Sequence, residues 1–270
     1  MKIVSFNVNS IRMRLNSLQK LIDDLDPDVI GLQETKVQDM DYPIEAIESM
    51  GYYSTFIGQK THYGVALLSK IKPIKIQHNY PWDNEDAQKR LICADYEIES
   101  LKIRVINGYF PQGENQDHPM KYPAKRKFYK DLLKLLKTDY NKDENIVIMG
   151  DFNIADCDID IGIGDHNAKR WLKTGKCAFL PEEREWLQTI KNFGLIDSFR
   201  ELYPNETQMS WFDYRSRGFD DEPKRGLRID YIMISQGLMP FLKNAGICYD
   251  VRAMEKPSDH APIWSEIICI

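Results

Sequence analysis

The sequence predicts one α/β sandwich domain, two packed β-sheets flanked by helices, on three observations. Runs rich in Val, Ile and aromatic residues recur from one end of the chain to the other. Helical periodicities separate some of these runs and not others. Nothing among the 270 residues reads as a linker. Strands joined partly by hairpins and partly by helices are the pattern of two sheets stacked together under a helical cover. With no low-complexity stretch and no segment rich in Pro, Gly and Ser, residues 1–270 are read as a single domain.

Taken in order, the expected strands cover 2–6, 28–32, 52–57, 65–68, 92–96, 103–106, 146–149, 229–234 and 262–267, where Val, Ile and aromatic residues favour extended backbone. Residues 11–25 read as a helix, because Leu15, Leu18, Ile22 and Leu25 recur at three- and four-residue intervals. Phe128, Leu132, Leu135 and Leu136 repeat that spacing over 128–136. A third helix opens at Pro181, where proline suits a first turn and Glu182 and Glu183 suit the positive end of the helix dipole. Segments 3–9 and 146–153 both run from an apolar strand into alternating polar residues, a faint echo that hints at pseudo-symmetry.

A content of 43% hydrophobic and 29% charged residues suits a soluble globular chain with a sizeable core. No apolar run approaches the roughly 18–20 residues that span a bilayer. Asn7 and Asn9 interrupt the first apolar run before a signal core could form. A cytoplasmic protein without a membrane partner is therefore expected. Cys93, Cys157, Cys177, Cys248 and Cys269 are scattered, odd in number and free of CxxC spacing, which argues against a zinc site or a disulfide framework. The net charge of −5 counts mildly against nucleic acid. Binding nevertheless depends on where charge sits, and a hydrolytic metal site itself requires carboxylates.

The chemistry lies at the strand ends. Asn7, Glu34, Tyr109, Asp151 and Asn153 each follow an expected strand, Asp230 lies near the start of another, and Asp259 and His260 precede the last. Loops at strand ends are where a rigid scaffold carries its functional groups. Carboxylate and amide oxygens suit Mg²⁺ or Mn²⁺ rather than zinc, and Mg²⁺ completes its octahedron with substrate phosphate oxygens. Each element alone also fits a turn or a helix cap. Their joint occurrence points to phosphoryl chemistry.

These residues fall in ordered segments: Ser5-Phe6-Asn7, Leu32-Gln33-Glu34-Thr35-Lys36, 107–113, Met149-Gly150-Asp151-Phe152-Asn153, 211–215, Arg228-Ile229-Asp230-Tyr231 and Ser258-Asp259-His260-Ala261-Pro262. On them, and on class-specific stretches at 62–66, 170–177 and 254–260, the chain resembles the exonuclease III class of AP endonucleases, within the endonuclease/exonuclease/phosphatase superfamily. The likeness runs from the first residue to about Trp264. It implies a four-layer α/β sandwich, two mixed β-sheets packed face to face between helices, with the site at one end of the sheets. It implies Glu34 as the main Mg²⁺ ligand, with Asn7 and Asp259 completing or orienting that shell. Asp151 would activate the attacking water and Asn153 would hold that water or the phosphate, or both would bind a second ion. Tyr109 would contact the scissile phosphate, and His260, paired with Asp230, would donate to a non-bridging oxygen.

The resemblance further implies a monomer acting on double-stranded DNA, especially abasic or nicked, with Gln112 near the substrate. A pocket for a base-less sugar would be walled by Trp211, Phe212, Leu227 and Ile229. Of the adjacent pair Trp211 and Phe212, strand geometry sends at least one into the core. Phosphate contacts are expected from Lys121 and 125–127, from 169–176 and from 215–228. Two rival readings share the elements: a phosphoesterase of the same superfamily acting on inositol phosphates or sphingolipids, and a catalytically inactive DNA-binding scaffold. Against the first stands the segment 211–230; against the second stand Glu34, Asp151 and His260, all retained.

Overall fold

The computed structural model describes residues 1–98, 101–141 and 143–268; Cys269 lies outside them. Among the described residues the strands are, in chain order, β1 (Lys2–Asn7), β2 (Val29–Gln33), β3 (Tyr53–Ile57), β4 (Val65–Ser69), β5 (Lys75–His78), β6 (Leu91–Ile98), β7 (Leu101–Tyr109), β8 (Ile146–Asp151), β9 (Leu195–Asp197), β10 (Asp230–Ser235), β11 (Leu242–Ile247) and β12 (Ile263–Ile267). They make two six-stranded sheets, ordered β11-β12-β1-β2-β4-β3 and β5-β6-β7-β8-β10-β9. In each sheet the central pair, β1–β2 or β7–β8, is parallel and every other pairing is antiparallel. The sheets thus repeat one pattern. Kept in chain order, β1 corresponds to β7 and β2 to β8, so the echo between 3–9 and 146–153 links strands that are not equivalents in the repeat.

The two-residue period of a strand builds the layers. In β1, Ile3 faces the other sheet while Val4 and Phe6 face outward. Between the sheets, Ile3, Val29, Val65 and Leu67 meet Val105, Val147, Met149 and Ile232. Outside one sheet, Val4, Phe6, Ile30 and Leu32 pack on Leu18, Leu21 and Ile22 of α1 (Leu15–Leu25) and on Ile47 of α2 (Ile44–Ser49). Outside the other, Ile106, Ile148, Tyr231 and Met233 pack on Phe128, Leu132, Leu135 and Leu136 of α3 (Lys121–Asp139). The next helix, α4 (Asp165–Thr174), buries no side chain fully. Leu187 and Ile190 of α5 (Pro181–Lys191) complete that outer core, and α6 (Ser198–Leu202) and α7 (Tyr249–Arg252) are short. The result is a four-layer α/β/β/α sandwich, in which each fully buried Leu, Ile or Phe contributes roughly 1.5–3 kcal/mol.

The expected helix over 11–25 is divided. Ile11–Met13 is a 3₁₀ turn and α1 begins at Leu15. The Ser10 and Ile11 N–H groups donate to the Glu34 and Thr35 carbonyls, so the chain is tied to the loop after β2 before it can coil. At its other end α1 stops on Asp26 in the left-handed conformation, φ 46°, just before Pro27. No helix of the described residues is long and apolar enough to cross a membrane.

Along the inward-facing positions, apolar side chains give way to polar ones toward one end. Ile3, Ser5 and Asn7 follow one another in β1, Val105, Asn107 and Tyr109 in β7, and Val147, Met149 and Asp151 in β8. The antiparallel β10 reverses the order, Asp230 before Ile232 and Ile234. This gradient marks the end of the sandwich that holds the site.

Candidate active site

Asn7, Tyr109 and Asp151 close β1, β7 and β8, Glu34 follows β2 by one residue, Asp230 opens β10, and His260 precedes β12. Register aligns Asp151 with Tyr109 on one side and with Asp230 on the other. Glu34 and Asn153 have φ of 52° and 54°, a left-handed conformation that side-chain-bearing residues rarely adopt. Around Glu34 the chain is held by Thr35 and Lys36 N–H groups donating to the Gly64 and Tyr63 carbonyls.

Asn7 joins the two sheets. Its Nδ2 donates to Glu34 Oε1 at 2.9 Å and to Asp151 Oδ2 at 3.0 Å, while its Oδ1 accepts the Asn9 N–H at 3.0 Å. Asp151 Oδ1 accepts the Asn153 N–H, and Oδ2 accepts Asn153 Nδ2, both at 3.0 Å. His260 Nε2 lies 3.7 Å from Asp151 Oδ2, and Nδ1 lies 2.9 Å from Asp230 Oδ2. The Ser210 hydroxyl donates to Asp230 Oδ2 at 2.6 Å and accepts the Ile229 and Asp230 N–H groups, which fixes that carboxylate.

The charges follow from these contacts. Burial raises the proton affinity of Asp151, with Asp230 and Glu34 adding to the rise and His260 opposing it. Burial alone would lower His260, but Asp230 and Asp151 outweigh it and the imidazole is held well above its usual range. Of the two, His260 holds a proton to higher pH than Asp151. Burial raises Glu34, yet Lys36, 2.7 Å from its Oε2, and Asn7 bring it below the usual carboxylate range. Burial and nearby Glu34 keep the Tyr109 phenol neutral.

Glu34, Asp151 and His260 present ligand atoms that all lie within 4.8 Å of one another. Two carboxylates, both held by the Asn7 Nδ2, fit a hard divalent cation. Asp259 stands outside this group: its Oδ1 accepts Asn9 Nδ2 at 2.8 Å and its Oδ2 accepts the Trp211 indole N–H at 3.1 Å. Gln112 is exposed, and its Oε1 accepts the Glu114 N–H at 2.8 Å. Sequence reasoning did not single out Asn9, Lys36, Ser210 or Ser258, whose hydroxyl donates to the Asn7 carbonyl at 2.7 Å. Three of them lie in or beside the signature segments, but nothing in their residue types distinguishes a partner from a bystander. Arg90, with its guanidinium 4.2 Å from the Tyr63 ring and 4.6 Å from that of Tyr109, left no sequence signal.

Two expectations need correction. Of the pocket residues, Phe212 is buried in a separate cluster with Met209 and Ala261. Leu227 and Ile229 are core residues of the cluster against which Trp171 and Trp211 pack. Beside that cluster opens a cleft of about 110 Å³, lined by Trp171, Trp211, Ile163 and Arg170. The adjacent aromatics do diverge, as expected, and Trp211 is the one left accessible. Among the basic segments, Lys125 is completely buried against Glu183, and Arg228 is buried between Asp160 and Asp197. Lys121 and Lys127 are paired with Glu114 and Asp131. Isolated in the sequence, these cations read as surface charge; in the fold their carboxylate partners come from other elements or from the next helical turn.

Comparison with known proteins agrees with this geometry. Residues 4–260 match the family model described as the endonuclease/exonuclease/phosphatase family. The chain is 57% identical to exodeoxyribonuclease III of Haemophilus influenzae, over 98% of this chain and 99% of that one. It superposes with a TM-score of 0.90 and 32% identity on an AP endonuclease from Archaeoglobus fulgidus, over the full length of both chains. A 3′ phosphatase from Neisseria, bound to a product DNA hairpin, superposes at 0.88 with 35% identity, again over the whole of both. With the sandwich, the strand-end acids and the buried Asp230–His260 pair in place, the chain belongs to the exonuclease III branch of the endonuclease/exonuclease/phosphatase family.

Proposed function

We propose that this chain is a nuclease of DNA repair that hydrolyses phosphodiester bonds in duplex DNA by in-line attack of water. It would incise 5′ to abasic sites, remove nucleotides 3′→5′ and clear 3′-phosphates. The observation that carries the reading is the meeting of Glu34, Asp151 and His260, from three distant parts of the sequence, within 4.8 Å. The activities for which its relatives are named support it.

Glu34 would hold Mg²⁺, or Mn²⁺ in its place, with Asn7, through its Nδ2, and Asp259 orienting that shell and Asp151 and Asn153 open to a second ion. Bound there, the cation supplies Lewis-acid charge to a phosphoryl oxygen. Asp151 accepts the proton of the attacking water. Its burial strengthens it as a base, the His260 imidazolium draws its proton affinity part of the way back down, and the Asn7 and Asn153 amides stop the carboxylate turning. His260, held by Asp230, donates from Nε2 to a non-bridging oxygen, where charge grows in the transition state. Tyr109, kept protonated, donates to the scissile phosphate. Trp171 and Trp211 wall the cleft for an extruded, base-less sugar, and a damaged site costs least to extrude.

The test compares end-labelled duplexes bearing an abasic site, a recessed 3′ end or a 3′-phosphate, with Mg²⁺, for the wild type, Glu34→Ala and Asp151→Asn. Each variant is expected to lose about 10²–10³-fold in kcat or more while keeping its unfolding transition. Full activity in Asp151→Asn would remove the assignment of the base. Phosphate release from inositol phosphates in place of DNA cleavage would overturn the substrate class.

A further inference from the structure

The apolar face of α3 carries a lysine. Tyr122, Phe128, Tyr129 and Leu132 line that face, and Lys125, three or four residues from its neighbours there, is completely buried with them. Its ammonium donates to the Asn153 carbonyl at 2.8 Å, to the Gln112 carbonyl at 3.3 Å and to Glu183 Oε1 at 2.5 Å. Glu183 Oε2 in turn accepts the N–H groups of Ala178 and Leu180, at 2.8 and 2.9 Å. One buried cation thus joins the turn after β7, the turn after β8 and the entry to α5. The lysine stem is packed as closely as its head: a Cβ at Gly113 would lie 3.0 Å from Lys125 Cδ.

Stability alone does not call for this arrangement, because apolar residues of similar volume commonly replace a buried ion pair at no loss. What the ammonium adds is direction. Asn153 sits in the left-handed conformation, which persists only where the surroundings over-determine it. Its N–H is fixed on Asp151 Oδ1, its side-chain amide on Asp151 Oδ2 and the Phe110 carbonyl, and its own carbonyl on Lys125. We infer that Lys125 is a positioning residue for hydrolysis: it holds the Asn153 and Gln112 carbonyls and, through Asn153, sets the carboxylate of Asp151. The inference rests on the reading of Asp151 and Asn153 given above. Lys125 itself touches no substrate.

The experiment uses Lys125→Met alone and combined with Glu183→Gln. The second variant leaves no unpaired buried carboxylate and keeps an acceptor for the Ala178 and Leu180 N–H groups. Both are made in the wild type and in Asn153→Ala, and kcat and KM on an abasic duplex with Mg²⁺ are measured beside urea unfolding. The double variant is expected to lose about 10- to 100-fold in kcat with KM within about threefold, since misplacement near 1 Å has that cost. In the Asn153→Ala background, which removes the side-chain amide from Asp151 Oδ2 but keeps the N–H on Oδ1 and the carbonyl on Lys125, the same pair should cost less in kcat than in the wild type, because residues acting through one shared partner are not additive. Equal losses in both backgrounds would overturn the inference, as would a loss that accompanies a missing unfolding transition in both variants. A slow Asn153→Ala enzyme beside a Lys125→Met, Glu183→Gln enzyme at full rate overturns the inference alone. An Asn153→Ala enzyme at full rate removes the reading of the site and the inference with it.

Discussion

His260 shows how little of a residue's behaviour belongs to the residue. Free imidazole is mostly neutral at pH 8, yet here burial, which would lower its proton affinity, is overcome by Asp230 against Nδ1 and Asp151 facing Nε2. A group whose folded value is raised contributes stability that is complete below about pH 6.5 and is lost as pH climbs through the folded value. If the imidazolium is the working form, the rate falls on the same alkaline side. Asp230→Asn removes the foremost charge that holds the proton, while the burial that opposes it stays. The alkaline limb of kcat should therefore move to lower pH, and the variant should be more impaired at pH 8 than at pH 6. Complete pH profiles of both enzymes check this; superimposable alkaline limbs would show that the proton on His260 is not needed.

Among the elements, β7 and β8 illustrate how a glycine permits a site that it never touches. Gly150 has φ 148° and lies opposite Gly108, one residue before Asp151 and Tyr109. A Cβ there would meet the Gly108 carbonyl oxygen at 1.9 Å, so Gly150→Ala must part the two strands at the catalytic end. A loss of about 1–3 kcal/mol in urea unfolding is expected, with a fall in kcat larger than that loss explains. A variant with native stability and rate would show that the strands separate without cost. The central strands were legible in the sequence because burial on both faces demands Val, Ile and Leu, and their polar ends stood out against that background. The edges were not. Of the unforeseen strands, β5 is mostly exposed, β9 spans 3 residues and β11 contains Asn244 and Gly246. The helix α4 escaped because it buries nothing fully and its apolar stripe is short, made of Ala168, Trp171 and Leu172. In the site, the acids, the two amides and the imidazole were legible from strand-end position, whereas Asn9, Lys36, Ser210 and Ser258, which hold them, were not. Lys125 was legible in principle, since Tyr122, Phe128, Tyr129 and Leu132 place it on the buried face of α3. Reading it by charge rather than by helical phase sent it to the surface.

At the scale of the molecule, a net charge of −5 must be reconciled with a polyanionic substrate. Many cations are already spent on neighbours: Lys121 on Glu114, Lys127 on Asp131, Arg225 on Asp221, Lys125 and Arg228 in the interior. Within 169–176 and 215–217, Lys169, Arg170, Lys173, Arg215 and Arg217 are exposed and, among the described residues, form no ion pair, so they are free to meet phosphates. Arg170 lines the cleft that Trp171 and Trp211 wall, and the other four lie in segments whose residues Trp171 and Ser216 line it too. Binding should therefore depend on salt as it does for a few phosphates rather than for a broad basic surface, with log K falling against log salt at a slope of about −2 to −4. Arg170→Gln should make that slope shallower by about 1, as loss of one phosphate contact requires. Lys127→Gln, whose ammonium is already neutralised by Asp131, should leave it unchanged. Fluorescence anisotropy of an abasic duplex titrated without Mg²⁺ across a range of salt measures all three. Equal slope changes for the two variants would mean that affinity draws on charge spread over the whole surface, and the cleft-side cations would lose their special place.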